Sequence, residues 1–288
     1  MTNKLKFFIS IGLVLFLSGC KLVIFDPKGS IAADEKDIII ISTLLMLIVV
    51  IPVIIMTFLF AWRYRASNKK ATYMPEWAHS VKIEMVVWTI PLIIITILAI
   101  ITWKSSHKLD PYKPLNVSGE PITIEVIALD WKWLFIYPDE NIAVINYMQI
   151  PENRPINFKI TADAPMNSFW IPQLGGQIYA MPGMQSKLHL IAHEKGSYDG
   201  FSASFSGPGF SGMKFIAKVS SEKDFLNWVH LVGQSQDQLN ILEYNKLAKP
   251  SENNIPQYYS DVENNLFKTV IAKYMMPVGG INKNMEKM

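Results

Sequence analysis

Residues 122–137 read Ile-Thr-Ile-Glu-Val-Ile-Ala-Leu-Asp-Trp-Lys-Trp-Leu-Phe-Ile-Tyr, and their spacing decides what kind of domain the chain carries. Apolar side chains recur at every second position, as they do on one face of a β-strand. The face is formed by Ile122, Ile124, Val126 and Ala128, and the same period returns at Trp131, Trp133 and Phe135. This stretch therefore predicts two strands of an all-β domain.

Further short strands are predicted downstream of this stretch. They cover residues 156–161, 187–192, 201–205 and 213–219, and segments rich in Pro, Gly, Asn and Ser separate them. Many short strands at such spacing are typical of a β-sandwich or barrel of about 100 residues. We expect this domain to occupy residues 119–219.

After residue 219 the apolar period changes to that of helices. Ser221 can cap a first helix, whose apolar positions are Phe225, Trp228, Val229 and Val232. A second helix is predicted over 237–247. A third should open near Ser260 and repeat at Val262, Leu266, Val270 and Tyr274. Residues 220–276 are thus expected to form a helical C-terminal arm, followed by a loose tail over 277–288.

The N-terminus has the pattern of an export signal. Lys4 and Lys6 precede an apolar run over 7–17, which is too short to cross about 30 Å of hydrocarbon. The sequence Leu-Ser-Gly-Cys at 17–20 resembles the cleavage box of bacterial lipoproteins, and Cys20 is the only cysteine of the chain. We expect a signal peptide over 1–19 and a lipid on Cys20, palmitate included; the alternative is a stray thiol after an uncleaved anchor.

Two longer apolar runs predict membrane-spanning helices over 38–62 and 83–103. The loop 63–82 between them carries five bases and the single acid Glu76, whereas 20–37 carries three bases and four acids. Basic loops stay in the cytoplasm, so both outer ends and the β-domain should lie outside, on the periplasmic side of the bacterial inner membrane. The net charge of +3 is small and scattered, which argues against a nucleic-acid partner.

This layout resembles subunit II of the haem–copper respiratory oxidases, most closely the cytochrome bo-type ubiquinol oxidases. The resemblance runs from the cleavage box to about residue 275. It is carried by six motifs: Glu-Met-Val-Val-Trp-Thr-Ile-Pro at 84–91, Asp-Trp-Lys-Trp at 130–133, Met-Asn-Ser-Phe-Trp-Ile-Pro at 166–172, Gln-Ile-Tyr-Ala-Met-Pro-Gly at 177–183, Tyr-Asp-Gly at 198–200 and Ser-Gly-Pro-Gly-Phe-Ser-Gly-Met at 206–213. It implies a mixed membrane protein, with a two-helix transmembrane hairpin, a cupredoxin-like β-sandwich and C-terminal helices.

The resemblance also shows where this chain departs from the copper-binding relatives. In cytochrome c oxidases, subunit II holds a dinuclear copper centre through His, Cys, Glu, Cys, His and Met. The corresponding positions here are Asn167, Ser202, Ser204, Ser206, Phe210 and Met213. Two soft thiolates are needed to bridge such a copper pair, and Cys20 is the chain's only cysteine. We therefore expect no metal and no cofactor on this chain.

Other candidate sites are weaker. His189 and His193 have the spacing of a ligand pair on a helix, but their segment is predicted as a strand, so we expect exposed strand histidines. Trp131 and Trp133 are expected to be packing aromatics. Glu84 lies one residue inside the second span, where an acid is costly. The resemblance implies proton uptake there, while the competing interpretation is a boundary residue that pairs with Lys82 or Arg63.

The implied function is that of an accessory subunit in a proton-pumping quinol oxidase that reduces O₂ to water. Haems, copper and the ubiquinol site would belong to subunit I, and the partners would be subunit I, other oxidase subunits and membrane lipid. This chain would cap and stabilise subunit I without a catalytic residue of its own. The alternative is a lipoprotein scaffold or binding module with a degenerate cupredoxin domain.

Overall fold

The computed structural model describes residues 22–275 apart from Tyr73, Asn116 and Ser118. The predicted signal peptide, Cys20 and the tail over 277–288 lie outside the described residues. A short 3-10 turn, Val23–Phe25, precedes two long helices, α1 (Ser30–Arg63) and α2 (Val81–Lys108). Both are long and apolar enough to cross a membrane. Pro52 lies inside α1 and Pro91 inside α2, as membrane helices tolerate.

Helix α1 begins at Ser30 rather than at residue 38, so it is longer than the predicted span at its outer end. Its first turns are polar on one side but pack against the β-domain. Ala32 is buried, and its N–H donates a hydrogen bond of 3.3 Å to the carbonyl of Leu174. Helix α2 likewise continues past Trp103, and Lys108 forms an ion pair of 2.6 Å with Asp34 of α1. Both helices thus extend beyond their apolar runs, the first in contact with the β-domain and the second in contact with the first.

In the part of the chain that the structure describes, eleven strands form two sheets packed face to face, as expected for a cupredoxin-like sandwich. The strands are β1 (Ile122–Leu129), β2 (Lys132–Tyr137), β3 (Ile142–Ile145), β4 (Tyr147–Pro151), β5 (Ile156–Ala162), β6 (Asn167–Trp170), β7 (Ile178–Ala180), β8 (Ser186–Leu190), β9 (Gly196–Ser202), β10 (Lys214–Ser220) and β11 (Gln257–Tyr259). The first sheet has the order β11-β3-β2-β1-β5-β8, and the second has the order β4-β10-β9-β6-β7.

The sandwich core confirms the face predicted from the period of β1. Ile122, Ile124, Val126 and Ala128 all point into it, together with Trp133 and Phe135 of β2. Trp131 departs from the prediction: it occupies the turn between β1 and β2, with a φ of 61°, and only flanks the core. A turn residue cannot share the alternation of the strands beside it.

The first sheet is also buried on its other face, by the C-terminal arm. Ile127 and Leu134 on this face belong to a second apolar cluster. The arm contributes to it Leu239, Tyr244, Tyr259, Val262, Leu266, Phe267 and Val270. The arm contains helices α3 (Glu222–Val232), α4 (Ile241–Leu247) and α5 (Leu266–Met275).

Two details of the arm differ from the sequence prediction. Helix α5 begins at Leu266 and not near Ser260, because residues 257–259 pair as β11 with β3 and Val262 forms a bridge with Leu239. Helix α4 begins at Ile241 rather than at residue 237, capped by Asn240. The predicted cap of α3 is confirmed, since the Ser221 hydroxyl accepts the N–H of Asp224 at 3.1 Å.

Candidate functional site

The structure brings the six positions that correspond to copper ligands to one end of the second sheet. Asn167 begins β6 and Ser202 ends β9, and these two strands pair with Phe169 opposite Ser202. The segment after β9 leads through a 3-10 turn, Pro208–Gly212, to Met213, which directly precedes β10. We call Asn167, Ser202, Ser204, Ser206, Phe210 and Met213 the ligand-position cluster.

Hydrogen bonds within the protein satisfy the polar members at the centre of this cluster. The Ser202 hydroxyl donates to Asn167 Oδ1 at 2.9 Å, and Asn167 Nδ2 donates to the Pro165 carbonyl at 2.7 Å. The backbone N–H of Ser202 donates to the Met213 carbonyl at 3.1 Å. The side chains of Asn167 and Ser202 are both buried, so these hydrogen bonds take the place of hydrogen bonds to water.

Trp131 covers the segment that contains Ser206 and Phe210. Its indole N–H donates to the Ser206 carbonyl at 3.2 Å, and its ring lies against Gly209, where an added Cβ would come within 2.5 Å of a ring carbon. Phe210 meets Phe205 edge-on, with ring centroids 5.6 Å apart, and Phe205 is 80% exposed. The outer surface of the cluster is therefore aromatic.

The residues present do not fit a dinuclear copper centre. Hydroxyls, an amide and a phenyl ring stand where thiolates and imidazoles are needed, and Met213 alone retains a sulfur ligand, fully buried. Within the ranges that the structure describes, no group of three His, Cys, Asp or Glu side chains converges on one point. Asn167 and Ser202 make this end of the sheet packed and hydrogen-bonded, whereas the buried hydroxyls of Ser168 and Ser206 have no hydrogen-bond partner among the described residues.

His189 and His193 each form a hydrogen bond with a different asparagine. His189 lies in β8 with Nδ1 at 2.7 Å from Asn157 Oδ1, and it is buried, so the prediction of an exposed histidine is wrong there. Burial is the main cause that lowers the pKa of its imidazole, with Lys187 adding to the effect. His193 is exposed but follows β8 instead of belonging to it, with Nδ1 at 2.9 Å from Asn153 Oδ1.

Glu84 sits in the first turn of α2, where its carboxylate accepts the backbone N–H of Ser80 at 3.2 Å. A carboxylate is favourable at this end of a helix because the first N–H groups lack partners within the helix. Glu84 is exposed in this chain, and among the described residues no ion pair joins it to Lys82 or Arg63.

A buried acid that the sequence did not single out fixes the C-terminal arm to the β-domain. The side chain of Asp163 is 1% exposed, and one oxygen accepts Lys273 Nζ at 2.6 Å and the Tyr274 hydroxyl at 2.5 Å. The other oxygen accepts the Tyr244 hydroxyl at 2.8 Å. Burial first, and then the nearby Asp163 charge, raise the pKa of Tyr244 well above its ordinary value.

Lys132 makes a second link between domain and arm. Its buried ammonium donates to the Lys249 carbonyl at 2.8 Å and to the Ser251 hydroxyl, and burial lowers its pKa. Neither Asp163 nor Lys132 has a local signal in the sequence, because the partners lie 81 to 119 residues away.

Two apolar helices, a cupredoxin-like sandwich and an arm built around aromatic side chains define a subunit II of the haem–copper oxidases. The family model described as "Cytochrome C oxidase subunit II, periplasmic domain" matches residues 138–220, and the one described as "COX Aromatic Rich Motif" matches 234–278. The chain belongs to the cytochrome bo(3) ubiquinol oxidase subunit 2 family, as its similarity to curated relatives shows.

Three relatives illustrate this similarity. Cytochrome bo(3) ubiquinol oxidase subunit 2 of Pseudomonas putida is 56% identical over 261 residues, which cover 91% of this chain and 83% of the relative. Ubiquinol oxidase subunit 2 of Acetobacter aceti is 51% identical, covering 90% and 85%. Cytochrome bo(3) ubiquinol oxidase subunit 2 of Buchnera aphidicola subsp. Baizongia pistaciae is 48% identical, covering 93% and 94%. The chain is thus subunit II of a ubiquinol oxidase.

Proposed function

We propose that this subunit has no redox centre of its own and that it docks on, stabilises and caps subunit I of a proton-pumping oxidase. The observation that carries the proposal is the ligand-position cluster, in which Ser202 and Asn167 bind each other at positions where a copper centre needs a thiolate and an imidazole. A quinol reaches the enzyme from the lipid, so the enzyme does not need a copper site that accepts electrons from a soluble donor.

The chemistry in this proposal takes place on subunit I. Ubiquinol would be oxidised there, and haems and copper would pass its electrons to O₂, giving water. This chain would contribute surface and rigidity. The sides of α1 and α2 are exposed and apolar along most of their length, which suits packing against other membrane helices and lipid.

We also propose that the chain is anchored by a lipid on Cys20 and that loop 63–82 faces the cytoplasm. The excess of bases in the loop supports this direction. Single cysteines introduced between residues 66 and 80 should react with an impermeant maleimide only after cells are opened, whereas cysteines beyond residue 115 should react in intact cells. Mass spectrometry of the N-terminal peptide tests the lipid, and a free thiol on Cys20 would contradict it.

In this topology Glu84 lies on the cytoplasmic side, from which protons for O₂ reduction are taken up. We propose that Glu84 collects protons for subunit I. The competing role is that of a helix-boundary residue, and the hydrogen bond from Ser80 is compatible with both.

Affinity purification of the full chain in a mild detergent tests the main proposal. A co-purifying haem-bearing subunit, with haem bands in the visible spectrum, is the expected result; membranes that carry the untagged chain provide the control. Recovery of the chain without haem would instead favour the free-standing lipoprotein scaffold. Bands of a thiolate–copper centre that belong to this subunit would contradict the absence of a redox centre.

A further inference from the structure

A polar cavity lies where the outer ends of the two helices meet the β-domain. Its volume is about 310 Å³. Helix α1 contributes Asp34 and Glu35, the end of α2 contributes Lys108, and the segment that follows α2 contributes Asp110 and Lys113. The cavity is therefore lined by charges of both signs.

An apolar groove of about 560 Å³ adjoins this cavity. The two share Glu35, Gly176 and Gln177 as wall residues, so Glu35 stands at the passage from one to the other. The rest of the groove wall is almost entirely apolar, with Ile24, Ile38, Ile39, Trp170, Pro172 and Ala203. Together the two spaces form one amphipathic site.

This inference rests on the membrane insertion of the proposed function. With that insertion, the site lies along α1 at the level that a phospholipid occupies in the bilayer. Ile38 is the first residue of the charge-free run, so the groove begins where the hydrocarbon begins. Ser30 and Glu35 of the cavity wall lie within about 12 Å above Ile38 along the helix. The polar cavity thus lies at the level of the headgroups and the groove at the level of the upper acyl chains.

Among the described residues, the charges of the cavity leave two carboxylates, Glu35 and Asp110, and one ammonium, Lys113, for a ligand. Asp34 and Lys108 neutralise each other at 2.6 Å. Glu35 is half-buried beside Gly176, and among the described residues it makes no ion pair, and neither does Lys113. A half-buried carboxylate is stabilised by a cation that also donates hydrogen bonds.

We propose that this site binds a phospholipid of the outer leaflet whose headgroup carries a primary ammonium. The ammonium donates to Glu35, the phosphate is held by Lys113, and one acyl chain fills the groove between Ile39 and Trp170. A choline headgroup cannot donate to Glu35, and a glycerol headgroup offers no cation. The site is therefore selective for phosphatidylethanolamine.

Native mass spectrometry of the detergent-extracted complex tests the headgroup contact. The variants are Glu35→Gln and the matched control Asp37→Asn, which removes an exposed acid outside both walls. We expect Glu35→Gln to retain one phosphatidylethanolamine molecule fewer per complex, and Asp37→Asn to retain as many as the wild type. After delipidation, phosphatidylethanolamine should restore the bound molecule to the wild type, and phosphatidylcholine should not.

Equal retention by Glu35→Gln and the wild type would overturn the proposal, as would equal rebinding of the two lipids. Replacement of Ile39 by a photoreactive phenylalanine analogue tests the groove. A cross-link to a phospholipid is the expected product, whereas a cross-link to another subunit or to the chain's own N-terminal peptide identifies a different occupant and refutes the site. The haem content of each preparation separates this test from the proposed function, since loss of haem from the wild type would contradict only the latter.

Discussion

The hydroxyl of Ser202 donates a 2.9 Å hydrogen bond to Asn167 Oδ1, which joins the end of β9 to the start of β6. Both side chains are buried, and the resemblance implies that both stand where the copper-binding relatives have metal ligands. The second sheet is therefore held together at this end by a direct bond between its own side chains.

Ser202→Ala should lower the stability of the β-domain. It leaves Asn167 Oδ1 buried without its donor, which costs about 1–2 kcal/mol. The matched control is Ser204→Ala, because the Ser204 hydroxyl lies nearer the surface and only its carbonyl contacts Ser202. Thermal unfolding in detergent, followed by tryptophan fluorescence, should give a lower Tm for Ser202→Ala alone. Equal Tm values for the two variants would show that the bond contributes nothing.

The link between the arm and Asp163 should contribute less to the stability of the fold at high pH. The pKa of Tyr244 is raised in the fold, so above about pH 10 the unfolded chain loses this proton while the folded chain keeps it. The folded state then binds more protons, and the free energy of unfolding must fall as pH rises. The same sign applies to Tyr274, whose pKa is raised by burial and by its bond to Asp163.

We therefore expect the free energy of unfolding to fall more steeply above pH 10 in the wild type than in Tyr244→Phe. Denaturant unfolding at several pH values measures the two slopes. Tyr179→Phe, which changes an exposed tyrosine of β7, is the control and should keep the wild-type slope. Parallel profiles for the wild type and Tyr244→Phe would contradict the role of Tyr244.

Asp163→Asn should loosen the arm at neutral pH. The charge that Lys273 and two tyrosines share is lost, and a hydrogen bond to a charged group contributes about 1.5–3 kcal/mol. Limited proteolysis should then cut the arm beyond residue 233 while the sandwich stays intact. Cleavage at the same rate in Asp163→Asn and wild type would mean that apolar packing alone holds the arm.

Gly29→Ala should disrupt the docking of α1 onto the β-domain. An added Cβ would lie 2.3 Å from the Ile191 carbonyl oxygen, which belongs to the backbone and cannot turn away. Overpacking of this kind costs about 1–3 kcal/mol. Gly233→Ala is the control, since its nearest neighbour would be at 3.4 Å. Thermal stability and membrane yield of the two variants should differ clearly, with only Gly29→Ala reduced.

Glu84→Gln should slow quinol oxidase turnover several-fold if Glu84 collects protons, because the amide cannot bind and release them. Assembly and haem content should be unchanged, and Glu84→Asp should retain most of the activity. Glu76→Gln, in the same loop region, controls for a general loss of negative charge. Wild-type turnover by Glu84→Gln across the working pH range would leave only the helix-boundary role.

The sequence predicted the parts of the fold that local patterns encode. The alternation at Ile124 and Val126 identified the sandwich face of β1, and Ser221 identified the start of α3. The resemblance assigned the positions of the ligand-position cluster one by one, and their correspondence to copper ligands stays a prediction.

Long-range contacts were beyond such patterns. Leu134 faces the arm, and nothing in its own strand says which distant residues cover it. The three residues of β11 are too few to show a period, so their pairing with β3 was missed and α5 was started too early. The polar residues of α1 from Ser30 onward have the sequence character of a loop. Only the β-domain, against which they pack, shows why they are helical.

The unbroken course of α1 has a mechanical consequence. Its 34 residues correspond to about 50 Å of helix, and its first turn is fixed to the β-domain through Gly29 and Ala32. The domain does not hang from a flexible tether, so α1 acts as a lever arm that spans the bilayer. A change of about 5° in its tilt would displace the far end by about 4 Å. Bilayer thickness sets the helix tilt, and it therefore also sets the orientation of the β-domain relative to the membrane.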